Sequence, residues 1–423
     1  MSENGDAAGP QRVVIVGTGQ AGADTATALR MAGYPGEIVM IGEEPTLPYS
    51  RPPLSKAYLL GDVDVEHVAI RPADIYEQQR IRVITGTTVT AVERAGKAVV
   101  LADGERMQYD KLVLATGGRA RQLPQSATIG AQNIHTLRTL EDADRLRDRL
   151  TPGAHGVVIG GGYIGLEFAA VARSRGVRVT VLEAANRILA RVTAPVISEF
   201  FERIHRDAGV EILVDAQLDG FELNDSGDVA AIRLADDTRI DADFVLLGIG
   251  LAPRTELAAS AGLPVDDGII VDPAMRTWDP DIYAVGDVAR HPDPDRGGTR
   301  RLESVPNASA QARIAAAAIA MNRRPADAPP WFWSNQYDLQ LQTVGMSTGY
   351  HRAVVRADAE NDRAITVFYL RDGVVVAADV VNRPADFAAA KKLVSANAVV
   401  DPVLLADTSI PLRTLVSAAR QSA

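Results

Sequence analysis

The sequence of 423 residues contains no cysteine. Without cysteine, the chain cannot form a disulfide, cannot ligate an iron–sulfur cluster through thiolates and cannot carry a thiol redox centre. Any two-nucleotide oxidoreductase mechanism that needs a redox-active disulfide of its own is therefore excluded.

Long apolar runs and excess positive charge are also missing. The most apolar helical stretch, residues 314–321, is far shorter than the roughly 18 residues that span a bilayer. Residues 1–11 are polar and include acids, so we expect a disordered tail rather than a signal peptide. The formal net charge of -10 argues against nonspecific nucleic-acid binding. We therefore expect a cytoplasmic enzyme without nucleic-acid or membrane partners.

A glycine-rich motif stands out in residues 157–183, VVIGGGYIGLEFAAVARSRGVRVTVLE. Its pattern predicts a strand, a turn with Gly160, Gly162 and Gly165, a helix, and a second strand that ends on Glu183. Such glycines let backbone amides approach a pyrophosphate at the helix N-terminus, and the terminal acid can accept ribose hydroxyls. The stretch therefore predicts a dinucleotide site.

A first copy of the motif is VVIVGTGQAG, with Gly17, Gly19 and Gly22 as its loop glycines. The next predicted strand, 38–41, leads to two adjacent acids. We choose Glu43 as the ribose ligand, and Glu44 stays an alternative. Two copies imply two nucleotides in similar folds, and an enzyme that holds two dinucleotides usually passes electrons between them.

Short strands follow each copy. They are predicted at 89–92, 98–101 and 111–114 after the first, and at 221–223, 229–234 and 244–250 after the second. Beyond a proline-rich boundary at 325–330, strands at 339–344, 364–370 and 374–381 precede two helices. The fold class is thus α/β, with two Rossmann-like dinucleotide-binding domains with β-meanders plus a C-terminal α+β domain.

Two further segments point toward a nucleotide site. Asp287 follows an apolar strand and a glycine, which places it at a strand's carboxyl end, where doubly wound sheets bind ligands. A helix predicted from near Pro306 could aim its N-terminus at the same place. The proline-rich loop PYSRPPLSK, which carries Arg51 and Lys56, is either a rigid surface loop or part of the site.

Seven segments in order, VVIVGTGQAG, RPPLSKAYL, LVLATGG, VVIGGGYIGLE, YAVGD, ESVPNA and PWFWSNQY, resemble the flavin-dependent, NADH-using ferredoxin reductases that feed oxygenases. The resemblance covers nearly the whole chain and implies a glutathione-reductase-like fold. It implies hydride transfer from NADH to FAD, then single-electron transfers to a [2Fe-2S] ferredoxin that serves a cytochrome P450 or Rieske oxygenase. We also expect a monomer or weak dimer.

The resemblance implies domain bounds. The FAD-binding domain is expected at 1–115 and 244–326, the NAD-binding domain at 116–243, and a C-terminal domain that covers the flavin at 327–423.

The resemblance also implies residue roles. Lys56 is expected beside the flavin with Glu303 as its ion-pair partner, and Trp333 near the flavin on the ferredoxin side. The expected FAD contacts are Gly17, Gly19, Ala21, Gly22, Glu43, Arg51, Lys56, Val89, Thr116, Gly117, Arg138, Asp287 and Val305. The expected NAD contacts are Gly160, Gly162, Tyr163, Ile164, Gly165, Glu167 and Glu183. A basic rim for an acidic ferredoxin is expected at Arg313, Lys391, Lys392 and Arg413.

No metal site is expected. The six histidines are scattered, and we interpret each as structural or exposed. The spacing of Glu202 and His205 resembles a helical metal motif, but it occurs in one copy. Two other functions stay open on the same fold: an NADH oxidase, and a redox-sensing flavoprotein that acts as an interaction partner.

Overall fold

The computed structural model describes residues 12–124, 130–293, 297–321, 323–326, 328–358 and 361–421. The predicted disordered tail lies outside the described residues. The chain divides into two compact units. The first unit is Met1–Ser50, Asp64–Arg119 and Leu251–Asp327; the second is Arg51–Val63, Ala120–Gly250 and Ala328–Ala423.

The described helices are α1 (Gln20–Met31), α2 (Ala57–Leu60), α3 (Ala73–Gln78), α4 (Leu140–Arg147), α5 (Tyr163–Ser174), α6 (Pro195–Asp207), α7 (Glu256–Ser260), α8 (Val305–Ile319), α9 (Pro384–Ser395), α10 (Pro402–Ala406) and α11 (Leu412–Gln421). Two 3-10 turns are Pro52–Ser55 and Gly286–Val288.

The described strands are β1 (Arg12–Val16), β2 (Glu37–Ile41), β3 (Ile81–Ile84), β4 (Val89–Glu93), β5 (Ala98–Leu101), β6 (Arg106–Gln108), β7 (Lys111–Leu114), β8 (Gly118–Ala120), β9 (Ile134–His135), β10 (His155–Ile159), β11 (Arg178–Leu182), β12 (Val210–Leu213), β13 (Leu218–Leu223), β14 (Val229–Leu234), β15 (Arg239–Asp241), β16 (Phe244–Leu247), β17 (Leu251–Pro253), β18 (Ile269–Ile270), β19 (Ile282–Ala284), β20 (Ala289–Pro292), β21 (Thr299–Arg301), β22 (Trp331–Gln336), β23 (Leu339–Gly345), β24 (Arg352–Asp358), β25 (Asn361–Arg371) and β26 (Val374–Val381).

The first unit is built on a parallel sheet with the strand order β19-β7-β1-β2-β3. Its strands are short runs of buried valine, isoleucine and leucine, as expected where helices cover both faces. Helices α1 and α8 pack against each other. An antiparallel meander of β4, β5 and β6 completes this copy of the motif.

The second unit repeats the plan with the parallel order β12-β11-β10-β16-β9 and the meander β13-β14-β15. The predicted meanders were wrong in the same way in both copies. The sequence predicts segments 111–114 and 244–250 as third meander strands, but β7 and β16 pair in parallel with β1 and β10. Both strands are almost wholly buried, so they need neighbours that cover two faces. The true third strands, β6 and β15, have only three residues each and alternate in burial.

This pairing also moves a domain boundary. The predicted NAD-binding segment ended at 243, yet β16 lies inside the second sheet. The division by compact units falls after Gly250, and residues 51–63 also join the second unit.

The carboxy-terminal part of the second unit is an antiparallel sheet with the order β22-β23-β26-β25-β24. Strands β25 and β26 and helices α9, α10 and α11 supply an apolar core. The three predicted strands here are confirmed as β23, β25 and β26, and the two predicted helices as α9 and α11. Strand β24 was missed because its sequence, RAVVRAD, places arginines among the apolar residues.

Among the described residues, no helix combines the length and apolarity needed to cross a membrane.

Candidate functional site

The first glycine loop joins β1 to α1 and accepts only glycine at two points. Gly17 has φ 114°, and a Cβ there would lie 2.2 Å from the carbonyl oxygen of Ala115. A Cβ on Gly22 would lie 2.0 Å from the carbonyl oxygen of Gly17. The loop therefore turns tightly and holds α1 against the sheet, as the motif predicts.

The N-terminus of α1 is left open. Gly19 is its N-cap residue and provides no side-chain cap, and a Cβ there would meet no atom within 4 Å. The first amides of α1 thus have neither an intrahelical acceptor nor a capping side chain. By contrast, Thr139 caps α4 in a capping box and Ser304 caps α8. An uncapped helix start beside open space suits a pyrophosphate.

Asp287 lies where the sequence predicted, in a 3-10 turn just beyond β19. This turn comes close to α1, because a Cβ on Gly286 would lie 2.7 Å from the Cβ of Ala21. The Gly286 amide donates to Gln311 of α8 at 2.7 Å. Ala21, Asp287 and the start of α8 are therefore neighbours in the first unit.

Helix α8 begins at Val305, one residue before the predicted start. Val305 occupies the first helical position, so its amide has no acceptor within the helix. The Ser304 hydroxyl accepts from the Asn307 amide at 3.2 Å. The Val305 amide can thus serve a ligand without breaking the cap.

The two adjacent acids after β2 have different partners. Glu43 pairs with Arg254, and Glu44 accepts a hydrogen bond from the Tyr49 hydroxyl. Arg254 also binds the predicted segment Thr116-Gly117: its amide donates to Gly117 at 3.0 Å and its carbonyl accepts from Thr116 at 2.8 Å. Glu43 is therefore brought near Thr116 and Gly117, and Val89 is buried at the start of β4.

The second glycine loop repeats these constraints between β10 and α5. Gly160 has φ 109° and lies against the Gly248 carbonyl, while a Cβ on Gly165 would lie 2.3 Å from the Gly160 carbonyl oxygen. Gly162 is the N-cap residue, again without a side-chain cap and with open space around it. The N-terminus of α5 is therefore a second anion site of the same type as that of α1.

Glu183 directly follows the last residue of β11 and lies beside this second loop. Its carboxylate accepts hydrogen bonds from the Gly161 amide at 2.8 Å and the Ala185 amide at 2.9 Å. The acid is thus fixed beside the loop by the backbone itself. Arg187, the nearby cation, donates to Ser198 at 2.6 Å and to the Ala190 carbonyl at 2.9 Å.

The first turn of α5 carries Tyr163 and Ile164. Ile164 is 45% exposed, so it can meet a ligand. Tyr163 packs on Phe332 with ring centroids 4.6 Å apart, and burial raises its pKa well above the usual phenol value. Tyr163 therefore stays a neutral aromatic surface.

The predicted ion pair of Lys56 with Glu303 was wrong. The Lys56 ammonium lies 2.5 Å from a carboxylate oxygen of Glu167, and Glu303 accepts instead from Arg301 at 2.6 Å. Lys56 follows the Pro52–Ser55 turn, which packs on α5, so the acid within reach is the one on that helix. The sequence does contain a signal for this partner. Glu167 is an acid within the otherwise apolar first half of the second motif helix.

Glu167 is 5% exposed and is held from several directions. The hydroxyl of Ser55 donates to it at 2.5 Å and that of Ser334 at 2.7 Å. Sequence reasoning named Glu167 only as an NAD contact and missed Ser55 and Ser334. Lys56, Ser55 and Ser334 thus hold this buried carboxylate from three directions.

Arg51 and Arg138, both expected at FAD, meet in the second unit. The Arg51 guanidinium donates to the Arg138 carbonyl at 2.5 Å, and the Arg138 amide donates to Asp142 at 2.8 Å. Their contact with FAD stays a prediction.

Trp331 and Trp333 lie on one face of β22, with ring centroids 5.6 Å apart. The Lys391 ammonium lies 4.9 Å from the Trp331 ring centroid. Lys391, Lys392 and Arg413 are exposed on α9 and α11, and Arg313 is exposed on α8. Basic and aromatic groups are therefore combined at Lys391 and Trp331 of the carboxy-terminal domain, and the rim as a ferredoxin docking site stays a prediction.

No group of histidine, cysteine or acidic residues within the described parts of the chain could hold a metal ion. Glu202 pairs with Arg206 at 2.8 Å, whereas His205 is fully buried and faces Gln336 at 2.8 Å. The spacing of Glu202 and His205 therefore does not form a ligand pair.

Comparison with known proteins follows this geometry. A family model of pyridine nucleotide-disulphide oxidoreductases matches residues 11–312, and a reductase C-terminal model matches residues 331–416. Putidaredoxin reductase of Pseudomonas putida is 48% identical over 96% of this chain and 97% of its own. The ferredoxin–NAD(+) reductase component of an anthranilate 1,2-dioxygenase system of Burkholderia cepacia is 42% identical over 95% and 98%. A crystal structure of the covalent putidaredoxin reductase–putidaredoxin complex is similar with TM-score 0.93 at 46% identity, over 97% of this chain and 99% of that one.

Proposed function

The chain belongs to the pyridine nucleotide-disulphide oxidoreductase family, and from that premise we propose that it is an NADH-dependent ferredoxin reductase of an oxygenase system. It is an FAD oxidoreductase that uses NAD(H), and its electron acceptor is a [2Fe-2S] ferredoxin that serves a cytochrome P450 or a Rieske oxygenase. A cytoplasmic location is part of the proposal and fits the use of NADH.

One observation supports this function most strongly. Two helices begin after a glycine-rich loop with no side chain capping their first amides, and the chain has no cysteine. Both nucleotide sites fit their ligands, but electrons cannot leave through a thiol pair. They must therefore pass to an external acceptor. A one-electron carrier protein suits the aromatic and basic surface of the carboxy-terminal domain.

The residues divide between the two nucleotides as follows. We assign FAD to the first loop, with Glu43 toward the ribose, Asp287 toward the ribityl chain and the Val305 amide toward the pyrimidine edge. NADH is assigned to the second loop, with Glu183 toward its ribose hydroxyls. Bound FAD supplies the chemistry that couples a two-electron donor to a one-electron acceptor. Lys56 supplies positive charge where the reduced flavin gains electron density, and Glu167 holds Lys56 in place.

The domain bounds follow the same assignment. We assign the FAD-binding domain to the first unit, and the NAD-binding and carboxy-terminal domains together to the second unit. The reductase works as a monomer or weak dimer, with Trp333 on the side that a ferredoxin approaches.

A set of three assays tests this function on the FAD-loaded protein. We expect fast ferricyanide reduction by NADH, weak O₂ consumption, and cytochrome c reduction that rises strongly when a [2Fe-2S] ferredoxin is added. Rapid O₂ consumption without ferredoxin would identify an NADH oxidase. Slow flavin reduction with a long-lived charge-transfer complex would identify a redox sensor.

A further inference from the structure

A chain of hydrogen bonds leads from the edge of the carboxy-terminal sheet to the buried Glu167 carboxylate. The Tyr337 hydroxyl lies 3.1 Å from Nδ1 of His205, and Nε2 of His205 lies 2.8 Å from Oε1 of Gln336. Nε2 of Gln336 donates to the Ser334 hydroxyl at 3.2 Å, and that hydroxyl donates to Glu167 at 2.7 Å. All these residues belong to the second unit, and apart from Glu167 none has a role in the function as proposed so far.

The direction of every bond in this chain is fixed from its inner end. A carboxylate only accepts, so the Ser334 hydroxyl must donate to Glu167 and accept from the Gln336 amide. The carbonyl of that amide then faces His205, whose Nε2 must carry the hydrogen. Nδ1 is therefore the acceptor, and Tyr337 donates to it. Every donor points toward Glu167.

The protonation states of the outer groups agree with this polarity. His205 is completely buried, and burial lowers its pKa to about 4, so it is neutral with a single N–H at neutral pH. Burial also raises the pKa of Tyr337 to about 12, which keeps its hydroxyl as a donor. Gln336 and Ser334 are buried and do not ionise. The chain thus presents one stable pattern of hydrogen bonds at neutral pH.

Few ionisable groups face Glu167 in the second unit. The segment that ends the Pro52–Ser55 turn contributes Lys56 at 2.5 Å, and α5 itself contributes the Tyr163 phenol. Strand β22 contributes only the neutral Ser334 and Gln336, and from β26 Asp379 acts on Tyr163. Lys56 and the hydrogen-bond chain are therefore the groups that favour the anionic carboxylate.

We propose that Ser334, Gln336 and His205 are positioning residues that hold Glu167 as an anion and so set the charge of the Lys56–Glu167 pair during flavin reduction. The inference rests on the proposed function, which puts Lys56 beside the flavin. It assigns the carboxy-terminal domain a part in electron entry.

The test is stopped-flow reduction of the FAD-loaded protein by NADH across a pH series, with paired variants. Ser334→Ala and His205→Leu remove donors, whereas Ser334→Thr keeps the hydroxyl and His205→Gln keeps an N–H near the position of Nε2. We expect the rate of Ser334→Ala to fall progressively further below that of the wild type as the pH is lowered, by roughly tenfold at the acid end, because a hydrogen bond to a charged group contributes free energy of that order. His205→Leu should shift in the same direction by less, and both conservative variants should follow the wild type.

Asn335→Ala, on the other face of β22, is the matched control and should follow the wild-type profile. A purely structural role of Ser334 would lower the rate by one factor at all pH values, and that result, or an unchanged profile, would overturn the proposal. If a variant does not retain FAD, infrared titration of the Ser334→Ala protein decides: a protonated carboxyl signal that Glu167→Gln abolishes must appear at higher pH than in the wild type. A wild-type protein that NADH cannot reduce would refute the proposed function. The infrared titration would still test the role of Ser334, because it does not depend on flavin reduction.

Discussion

Single carboxylates determine the chemistry of this protein through their hydrogen-bond partners. Glu183 and Glu167 are both held in the second unit, yet their partners differ. Glu183 accepts only backbone amides, so its outer lone pairs can still meet a ribose. Glu167 is surrounded by Lys56 and two serine hydroxyls, so its charge serves the protein itself. The same residue type is thus left open to a ligand in one case and holds a cation in the other.

The first prediction concerns the choice of nicotinamide nucleotide. A carboxylate at Glu183 accepts the 2′-hydroxyl of NADH and repels a 2′-phosphate, and Arg187 is already engaged by Ser198 and Ala190. We expect kcat/KM for NADH to exceed that for NADPH by about 100-fold or more, because like charges in contact cost several kcal/mol. Steady-state ferricyanide assays with both nucleotides check this, and similar values would overturn the assignment of Glu183.

The second prediction concerns Lys56. Lys56→Met removes the positive charge that we propose beside the flavin, and we expect stopped-flow reduction by NADH to slow by roughly tenfold or more, as for other preorganised donors. The FAD content, read from visible absorbance, should be unchanged. Lys56→Arg is the matched control, because it keeps the charge. An unchanged rate in Lys56→Met would show that Lys56 is only a loop residue.

At the scale of elements, helix α9 presents Lys391 over the Trp331 ring at the start of β22, and Arg413 is exposed on α11, which packs against α9. The chain as a whole is acidic, so a docking site for an acidic ferredoxin needs such a local rim. The structure places the cations on helices, which fixes their spacing better than loops would.

The third prediction tests this rim. Rim charges act mainly on encounter rates and salt dependence, so Lys391→Ala and Arg413→Ala should each raise the KM for ferredoxin by roughly threefold and flatten its dependence on ionic strength. NADH-to-ferricyanide activity should stay normal because that acceptor needs no docking surface. Arg233→Ala, at an exposed position in the second meander, serves as the control. If both activities fall together, these residues support the fold or the flavin instead of docking.

At the scale of the whole chain, two buried groups in the second unit make stability depend on pH in opposite senses. Burial lowers the pKa of His205 to about 4, and burial raises the pKa of Asp379 to about 7. The histidine contributes stability that is present above its ordinary pKa of 6.5 and is lost as pH falls toward 4. The aspartate contributes stability that is present below its ordinary pKa of 3.8 and is lost as pH rises toward 7. Between pH 4 and 6.5 the two trends oppose each other.

The fourth prediction follows from this opposition. Burial lowers the pKa of His135 to about 4 as well, so the contribution of His205 is read from the difference between variant and wild type. His205→Gln should therefore lose less stability than the wild type as pH falls from 6.5 to 4. Asp379→Asn should keep the hydrogen bond from Tyr369 and leave the histidine trend alone, so its stability should fall as pH drops from 6.5 to 4. Each trend amounts to about 3 kcal/mol, and denaturant unfolding at each pH measures it. Parallel curves for both variants and the wild type would contradict the assignment.

The sequence was most informative where geometry is local. The glycine loops, Asp287 and the α8 start follow from a motif, a strand end and a proline, all of which act within a few residues. The prediction of the third meander strands was wrong for two reasons. Strands β6 and β15 are too short to show the two-residue periodicity of a strand. Strands β7 and β16 are apolar runs that follow the meanders in sequence, so their position in the chain alone assigns them to the wrong sheet. The predicted ion-pair partner of Lys56 was wrong because the observed pair joins residues that are 111 apart in sequence. No local sequence pattern encodes such a contact.

Strand β22 bears on how this enzyme could acquire new partners. Trp331 and Trp333 alternate with Phe332 and Ser334 along it, so the aromatic face and the face toward Tyr163 and Glu167 are encoded by interleaved positions. If the aromatic face docks the carrier protein as proposed, substitutions at the odd-numbered positions should change which carrier is accepted without altering the even-numbered ones. Directed evolution confined to alternate codons of this strand should change ferredoxin preference while flavin reduction by NADH stays intact.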